Sequence, residues 1–196
     1  MAGAAVKITK AGGDYRRDWA EKRDLGTRVH GYISKWALGK VADVLEEDEG
    51  HLRAFTAFCN AKKPEWLETE RDVISSLGYG GRFDLIGYFD GEYWGLDGKT
   101  GKIYETDLEL QLAGYMGAEA MIVYDENGMS VATEPLPHVD RWGGLYLTGD
   151  GKAQLVEVAK PPEDGSRTRG EVQEAAKQAF RNLLAVRLWA DGRKAQ

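Results

Sequence analysis

Two aspartates and a lysine stand in an otherwise apolar stretch, RFDLIGYFDGEYWGLDGKTG, running from Arg82 to Gly101. The acids are Asp84 and Asp97 and the base is Lys99. Asp90-Gly91 divides the stretch, and Asp-Gly between strand formers signals a two-residue hairpin turn. Such a turn fixes the register. Phe89 faces Glu92, Tyr88 faces Tyr93, and the same pairing continued outward sets Asp84 against Asp97. Their Cβ atoms are then expected roughly 4.5–5.5 Å apart. Lys99, two residues beyond Asp97, shares its face, with Arg82 opposite it. Phe83, Leu85, Phe89, Trp94 and Leu96 take the other face, as a core requires.

Carboxylates directly across a strand pair repel and destabilise the hairpin. A divalent cation between them removes the penalty, and two hard oxygen ligands suit Mg²⁺ or Mn²⁺. A lysine beside such an ion can position or activate a water, or stabilise charge building on a phosphate. The plainer alternative is an exposed strand edge on which Asp97 simply pairs with Lys99. The apolar setting of the acids favours the site. The run DGKTGK contains Gly-Lys-Thr but is not a phosphate-binding loop. That loop needs a glycine five residues before the Gly-Lys pair, where this chain has Tyr93.

The elements that must position these residues follow from periodicity. Residues 15–46 read as helical, with Trp19, Val29, Ile33, Trp36, Leu38, Val41 and Val44 as apolar markers and Gly26-Thr27 as the start of a second helix capped by Thr27. Residues 48–60 form another helical pattern closed before Pro64. WLETERDVIS alternates like a strand. After the hairpin, TDLELQLAGYMGAE is helical and AMIVYD is a strand. Asn127-Gly128 turns the chain into MSVATEPL, GLYLTGDGKAQLVEVAK is a second hairpin, and GEVQEAAKQAFRNLLAVRLWA is a last amphipathic helix. The order is helices first, then a mixed sheet with a helix inserted after its first hairpin, an α/β or α+β arrangement.

Composition narrows the class. The chain of 196 residues fits one domain, with a helical part at 1–60, a sheet core at 65–160 and a helix at 168–190. No apolar run approaches a membrane span of roughly 18 residues. The first twenty residues lack the apolar core of a secretion signal, so a cytoplasmic protein is expected. Cys59 is the single cysteine, which leaves no internal disulfide and no cysteine-rich cluster within the chain. A net charge of −6 argues against a broadly basic nucleic-acid coat. Basic residues gather locally at Arg16, Arg17, Lys22, Arg23 and Arg28, and at Arg167, Arg169, Lys177, Arg181 and Arg187, where solvated helix faces explain them as well as a groove does.

GGRFDLIGYFDGEYWGLDGKTGK resembles the motifs of the RecB-like branch of the PD-(D/E)XK nuclease superfamily. Asp84 matches the acid of its first motif, and Asp97-Gly98-Lys99 its acid-x-Lys motif. Upstream, GTRVH matches the Gly-x-x-x-His helix with Gly26 and His30. Downstream, QLAGY matches the Gln-x-x-x-Tyr helix with Gln111 and Tyr115. The resemblance covers roughly residues 26–115 in the family's order. It implies a restriction-endonuclease-like core, a mixed β-sheet flanked by helices, behind an N-terminal helical segment. It implies Mg²⁺ or Mn²⁺ held by His30, Asp84, Asp97 and the carbonyl of Gly98, with Lys99 as the catalytic lysine and Gln111 and Tyr115 on a helix that meets DNA. Glu70 is an accessory acid near that site, with a strand-surface charge as its alternative. Relatives that carry an iron–sulfur cluster use four cysteines, so no such cluster is expected here, and the chain is similar to compact free-standing bacteriophage nucleases, which act in the host cytoplasm. The expected activity is an exonuclease on DNA ends in recombination, repair or phage replication. A structure-specific endonuclease and an inactive DNA-binding module are the alternatives. Homo-oligomers, and recombination or single-strand-binding partners, fit the same setting, which leaves them open.

Overall fold

The computed structural model describes residues 15–102 and 104–194. Expectations for residues 1–14, and for the side chains of Arg16 and Trp19, lie outside the described residues. The first helix, α1, spans Tyr15–Ala37 without a break. Gly26-Thr27 therefore starts no second helix. The Thr27 hydroxyl donates back to the carbonyl of Arg23 one turn earlier, as a mid-helix threonine does. Nor does the helix reach residue 46. Gly39 adopts a left-handed φ of 67°, Lys40 N–H donates to Lys35 and Gly39 N–H to Trp36. This paired closure is a Schellman motif, and it ends the helix where glycine tolerates the conformation. Val41, expected on a helical core face, is instead 95% exposed in the following loop.

A short 3₁₀ turn, Glu46–Asp48, leads into α2, Glu49–Lys62. The strands β1 (Glu65–Ser75), β2 (Tyr79–Phe89) and β3 (Glu92–Lys99) follow, then helix α3 (Glu105–Met116). Next come β4 (Ala120–Tyr124), β5 (Ser130–Pro135), β6 (Arg141–Leu147), β7 (Ala153–Val158) and the long helix α4 (Arg169–Lys194). The strands form one seven-stranded mixed sheet in the order β5-β4-β1-β2-β3-β6-β7. Only β3 and β6 pair in parallel. This is an α/β protein with its helical segment first. No helix among the described residues is long and apolar enough to cross a membrane.

The two sheet faces carry separate cores. On one, Val29 and Ile33 of α1 and Phe55 and Phe58 of α2 pack on Leu85, Leu96 and Leu145. On the other, Leu108, Leu112 and Tyr115 of α3 pack on Phe83, Ile86 and Trp142. Helix α4 closes the second layer, with Ala176 and Phe180 against Ala113. Cys59 is buried in the first core, where burial pushes its thiol up to about 12.

The hairpin register is as the Asp-Gly turn dictates. Asp90 and Gly91 both take positive φ, 52° and 83°, and the ladder runs from Phe89–Glu92 to Leu85–Leu96. Phe83 departs from the expected face. It belongs to the α3 core together with Ile86, three residues away, whereas Leu85 belongs to the α1 core. Strict alternation would put Phe83 and Leu85 on one face. The reversal lies at Asp84, and the neighbouring strand reverses at the same level. Glu70 sits in a left-handed conformation, φ 49°, and the β1–β2 register steps from Thr69–Leu85 to Arg71–Phe83 without a Glu70–Asp84 rung.

Candidate metal centre and its lysine

The reversal decides which way each acid points. Asp84 turns to α1, where its Oδ1 lies 3.1 Å from His30 Nδ1. Beyond Leu85–Leu96 the β2–β3 ladder stops, although β3 stays paired with β6 as far as Lys99–Tyr146. The Gly98 N–H donates to the Asp84 side chain, at 2.5 Å from Oδ2, rather than to strand β2. A Cβ at residue 98 would lie 3.1 Å from Ile33 Cδ1, so that side chain would have to give by a few tenths of an ångström, and 3.4 Å from Asp84 Oδ2.

His30 Nε2 lies 2.9 Å from the Gly98 carbonyl, which can only accept, so Nε2 donates. With a carboxylate at Nδ1, the ring carries two protons. Burial opposes that charge, but the hydrogen bond and charge of Asp84, helped by Asp97 and Glu70, outweigh it and bring His30 to about 9. The helix bearing His30 is fastened on either side of it. Arg28 donates from Nε and Nη2 to Asp48, at 2.6 and 3.0 Å, and the Tyr32 hydroxyl donates to the same carboxylate at 3.1 Å. Asp48 is 1% exposed, and its Arg28 hydrogen bond holds it below the usual carboxylate range.

Glu70 enters the same group. Its carboxylate, a carboxylate oxygen of Asp84 and a ring nitrogen of His30 lie within 4.8 Å of one another. Glu70 Oε1 is buried and has no hydrogen-bond partner. Burial, then the Asp84 charge, raise its pKa. Two carboxylates, an imidazole and an orphaned oxygen suit a hard divalent cation, which would complete the oxygen's coordination and offset the repulsion. The residues present therefore fit Mg²⁺ or Mn²⁺, with the Gly98 carbonyl at the margin.

Asp97 and Lys99 face the other way, toward α3. Asp97 is 2% exposed and forms an ion pair through Oδ2 with the Lys99 ammonium. Gln111 Nε2 donates to Asp97 Oδ1 at 2.8 Å and to the Tyr115 hydroxyl at 2.9 Å, while Lys99 Nζ donates to Gln111 Oε1 at 2.9 Å. Asp97 is absent from the His30–Glu70–Asp84 group, yet it feels it. Burial first, then Asp84, push its pKa up, against the attraction of Lys99. The expected face-to-face pair of acids is thus replaced by two linked groups, one on each face of the sheet. Arg82 does not oppose Lys99. It pairs with Asp72 of β1, while Lys99 is level with Tyr146 of β6.

The structure brings His30, Asp84, Gly98 and Glu70 together, and sets Asp97, Lys99, Gln111 and Tyr115 immediately beside them. Gln111 spends its amide on neighbours within the chain, and the Tyr115 ring is core, 8% exposed. Glu70 was readable only as an accessory. A turn placed on the Ser76–Gly78 segment would have put it level with Asp84, by the same arithmetic that paired the hairpin. No protein-family model matches this chain, and no curated protein matches it either.

Proposed function

We propose that this protein is a divalent-metal-dependent deoxyribonuclease with a PD-(D/E)XK core of the RecB-like kind, acting as an exonuclease on DNA ends. The observation that carries the reading is the convergence of His30, Glu70 and Asp84 around an orphaned carboxylate oxygen, with the Asp97–Lys99 pair directly beyond it. The four motifs in order, Gly26 to His30, Asp84, Asp97 to Lys99 and Gln111 to Tyr115, support the family and the exonuclease assignment.

Mg²⁺ or Mn²⁺ bound by His30, Glu70 and Asp84 would orient a phosphate and a water and offset transition-state charge. The chain's own residues do the rest. Lys99, partly exposed beside the metal group and paired with Asp97, would meet a phosphoryl oxygen as charge develops. Asp97 and Gln111 fix the direction of that ammonium. The Asp84 carboxylate, held by the Gly98 N–H, keeps one geometry.

The test is digestion of end-labelled linear DNA and covalently closed circular DNA in Mg²⁺ or Mn²⁺, with Asp97→Ala beside wild type. Release of nucleotides from linear DNA alone, lost in Asp97→Ala, is expected. Cleavage of the circle replaces the exonuclease reading with an endonuclease one. Absence of any cleavage by wild type overturns the nuclease reading.

A further inference from the structure

Next to the proposed metal group, on the same face of the sheet, lies a second constellation. Gly81 and Phe83 face α3, since the Tyr115 ring lies over Gly81 and Phe83 belongs to the α3 core. Arg82 therefore faces the α1 side, as Asp84 does. Arg82 is level with Asp72 on β1, and Asp84 and Glu70 follow two residues further along their strands, without a ladder rung between them. Two residues of strand amount to roughly 6–7 Å. Asp72 holds Arg82 through two hydrogen bonds, 2.7 Å from Nε and 2.8 Å from Nη2. It also accepts from the Tyr124 hydroxyl of β4 at 2.5 Å. Both oxygens of Asp72 are thus engaged. The second terminal nitrogen of Arg82 has no partner among the described residues, and the Arg82 side chain is 54% exposed. Tyr124 is 45% exposed, with its ring direction set by the hydroxyl bond.

This arrangement presents one cation and one oriented aromatic ring, at one nucleotide's reach from the metal group. A guanidinium held by a carboxylate on one edge and open on the other is a phosphate contact. An exposed ring fixed by its own hydroxyl is a stacking platform, which any unpaired base can use. The distance along the strand is about that between neighbouring phosphates of an extended single strand. We propose that Arg82 and Tyr124 form a single-stranded DNA subsite, oriented by Asp72. Arg82 takes the phosphate next to the one at the metal group, and Tyr124 stacks on an adjoining base. The subsite selects single-stranded ends, because a base inside a duplex offers Tyr124 no free face. It rests on the nuclease reading and names the strand that the same site accepts.

The experiment is binding of fluorescent oligo-dT in Ca²⁺, over a range of salt, by wild type, Tyr124→Leu, Tyr124→Phe and Arg82→Gln. Tyr124→Leu is expected to bind about 5- to 100-fold more weakly, the range for losing one stacked base. Its salt dependence should be unchanged, and Tyr124→Phe should keep most of the affinity. Arg82→Gln should reduce the slope of log affinity against log salt by about 0.7, the value for one phosphate contact on a single strand. Photocrosslinking of wild type to bromodeoxyuridine-substituted oligo-dT needs no variant, and should label the peptide that contains Tyr124. Wild-type affinity in Tyr124→Leu, an unchanged salt slope in Arg82→Gln, or crosslinks only elsewhere overturns the subsite while leaving the nuclease reading intact. Failure of wild type to bind oligo-dT at all also overturns the subsite, whereas the nuclease reading falls only if wild type cleaves neither linear nor circular DNA.

Discussion

Replacing Asp97 by asparagine should make the metal-free protein more stable. The carboxyl is nearly fully buried, and burial is the first cause that raises its pKa, with the Asp84 charge second and Lys99 opposing. The result is about 6 against 3.8 for an ordinary aspartate. A difference of about two units is worth ~3 kcal/mol in favour of the protonated form in the fold. A carboxyl whose pKa is higher folded than unfolded binds its proton more readily in the fold. Its stabilisation is therefore fully present below pH 3.8 and is lost as pH rises through about 6. In EDTA at a pH of about 7.5, wild type bears the whole penalty. Asparagine removes the charge and keeps the oxygen that Gln111 bonds, but sets an N–H₂ group against Lys99, offsetting roughly 1–2 kcal/mol. The net gain is about 1–2 kcal/mol, or roughly 2–8 °C in Tm for a domain of this size. Repulsion between opposed strand acids alone would give roughly 0.2–1 kcal/mol. The difference comes from burial. Melting curves by circular dichroism in EDTA should show the gap between variant and wild type closing as pH falls toward about 4. In millimolar Mn²⁺ both proteins should gain stability by mass action and the variant should keep its lead, because Asp97 lies outside the His30–Glu70–Asp84 group. An Asp97→Asn that melts below wild type in EDTA, or a gap that does not change with pH, would refute the reasoning.

The remaining predictions concern the two linked groups. His30, protonated on both nitrogens in the metal-free protein and with a pKa of about 9, must release a proton to bind metal, so Mn²⁺ affinity should fall as pH drops below that value. Titration calorimetry in buffers of different ionisation heat should show about one proton released near neutral pH, and none in His30→Ala. Glu70→Ala should weaken Mn²⁺ binding as much as Asp84→Ala does and more than Asp97→Ala, because Glu70 and Asp84 share the tight group; the opposite ranking would restore the ligand set implied by the motifs. Gln111→Met should lower cleavage roughly 10- to 100-fold, as loss of a supporting partner does, while Mn²⁺ affinity stays near wild type. Lys99→Ala should abolish cleavage yet still bind Mn²⁺ in calorimetry, since an ammonium has no lone pair to give a metal.

Much of this architecture was legible because it is local. The Asp90-Gly91 turn fixes its own register, since both residues tolerate positive φ and the flanking strands have no other turn to use. The helix at Glu105–Met116, which delivers Gln111, follows from a continuous helical pattern. What was not legible depends on contacts across the chain. Gly39 closes α1 through the Lys40–Lys35 bond, and the apolar residues after it looked helical only because hydrophobicity alone does not mark a left-handed cap. The reversal of faces at Glu70 and Asp84 has no residue signature, because neither position is a glycine.

That reversal explains why a hairpin read with the correct register still gave the wrong neighbours. Period-2 alternation converts register into faces only while each residue keeps extended φ and ψ. One left-handed residue, Glu70, together with its partner Asp84, carries the strand past one alternation, and every inference about facing beyond that level changes sign. The consequence is chemical. If alternation had held, Asp84 and Asp97 would share one face with Lys99, and a cation bound there would sit against the ammonium. With the reversal, the imidazole and two carboxylates gather on the α1 side, and the lysine keeps to the α3 side with its own carboxylate and amide partners. The left-handed conformation at Glu70, a strain of order 1–3 kcal/mol for a non-glycine residue, thus accompanies the change of face that sets Lys99 and the His30–Glu70–Asp84 group on opposite sides of the sheet.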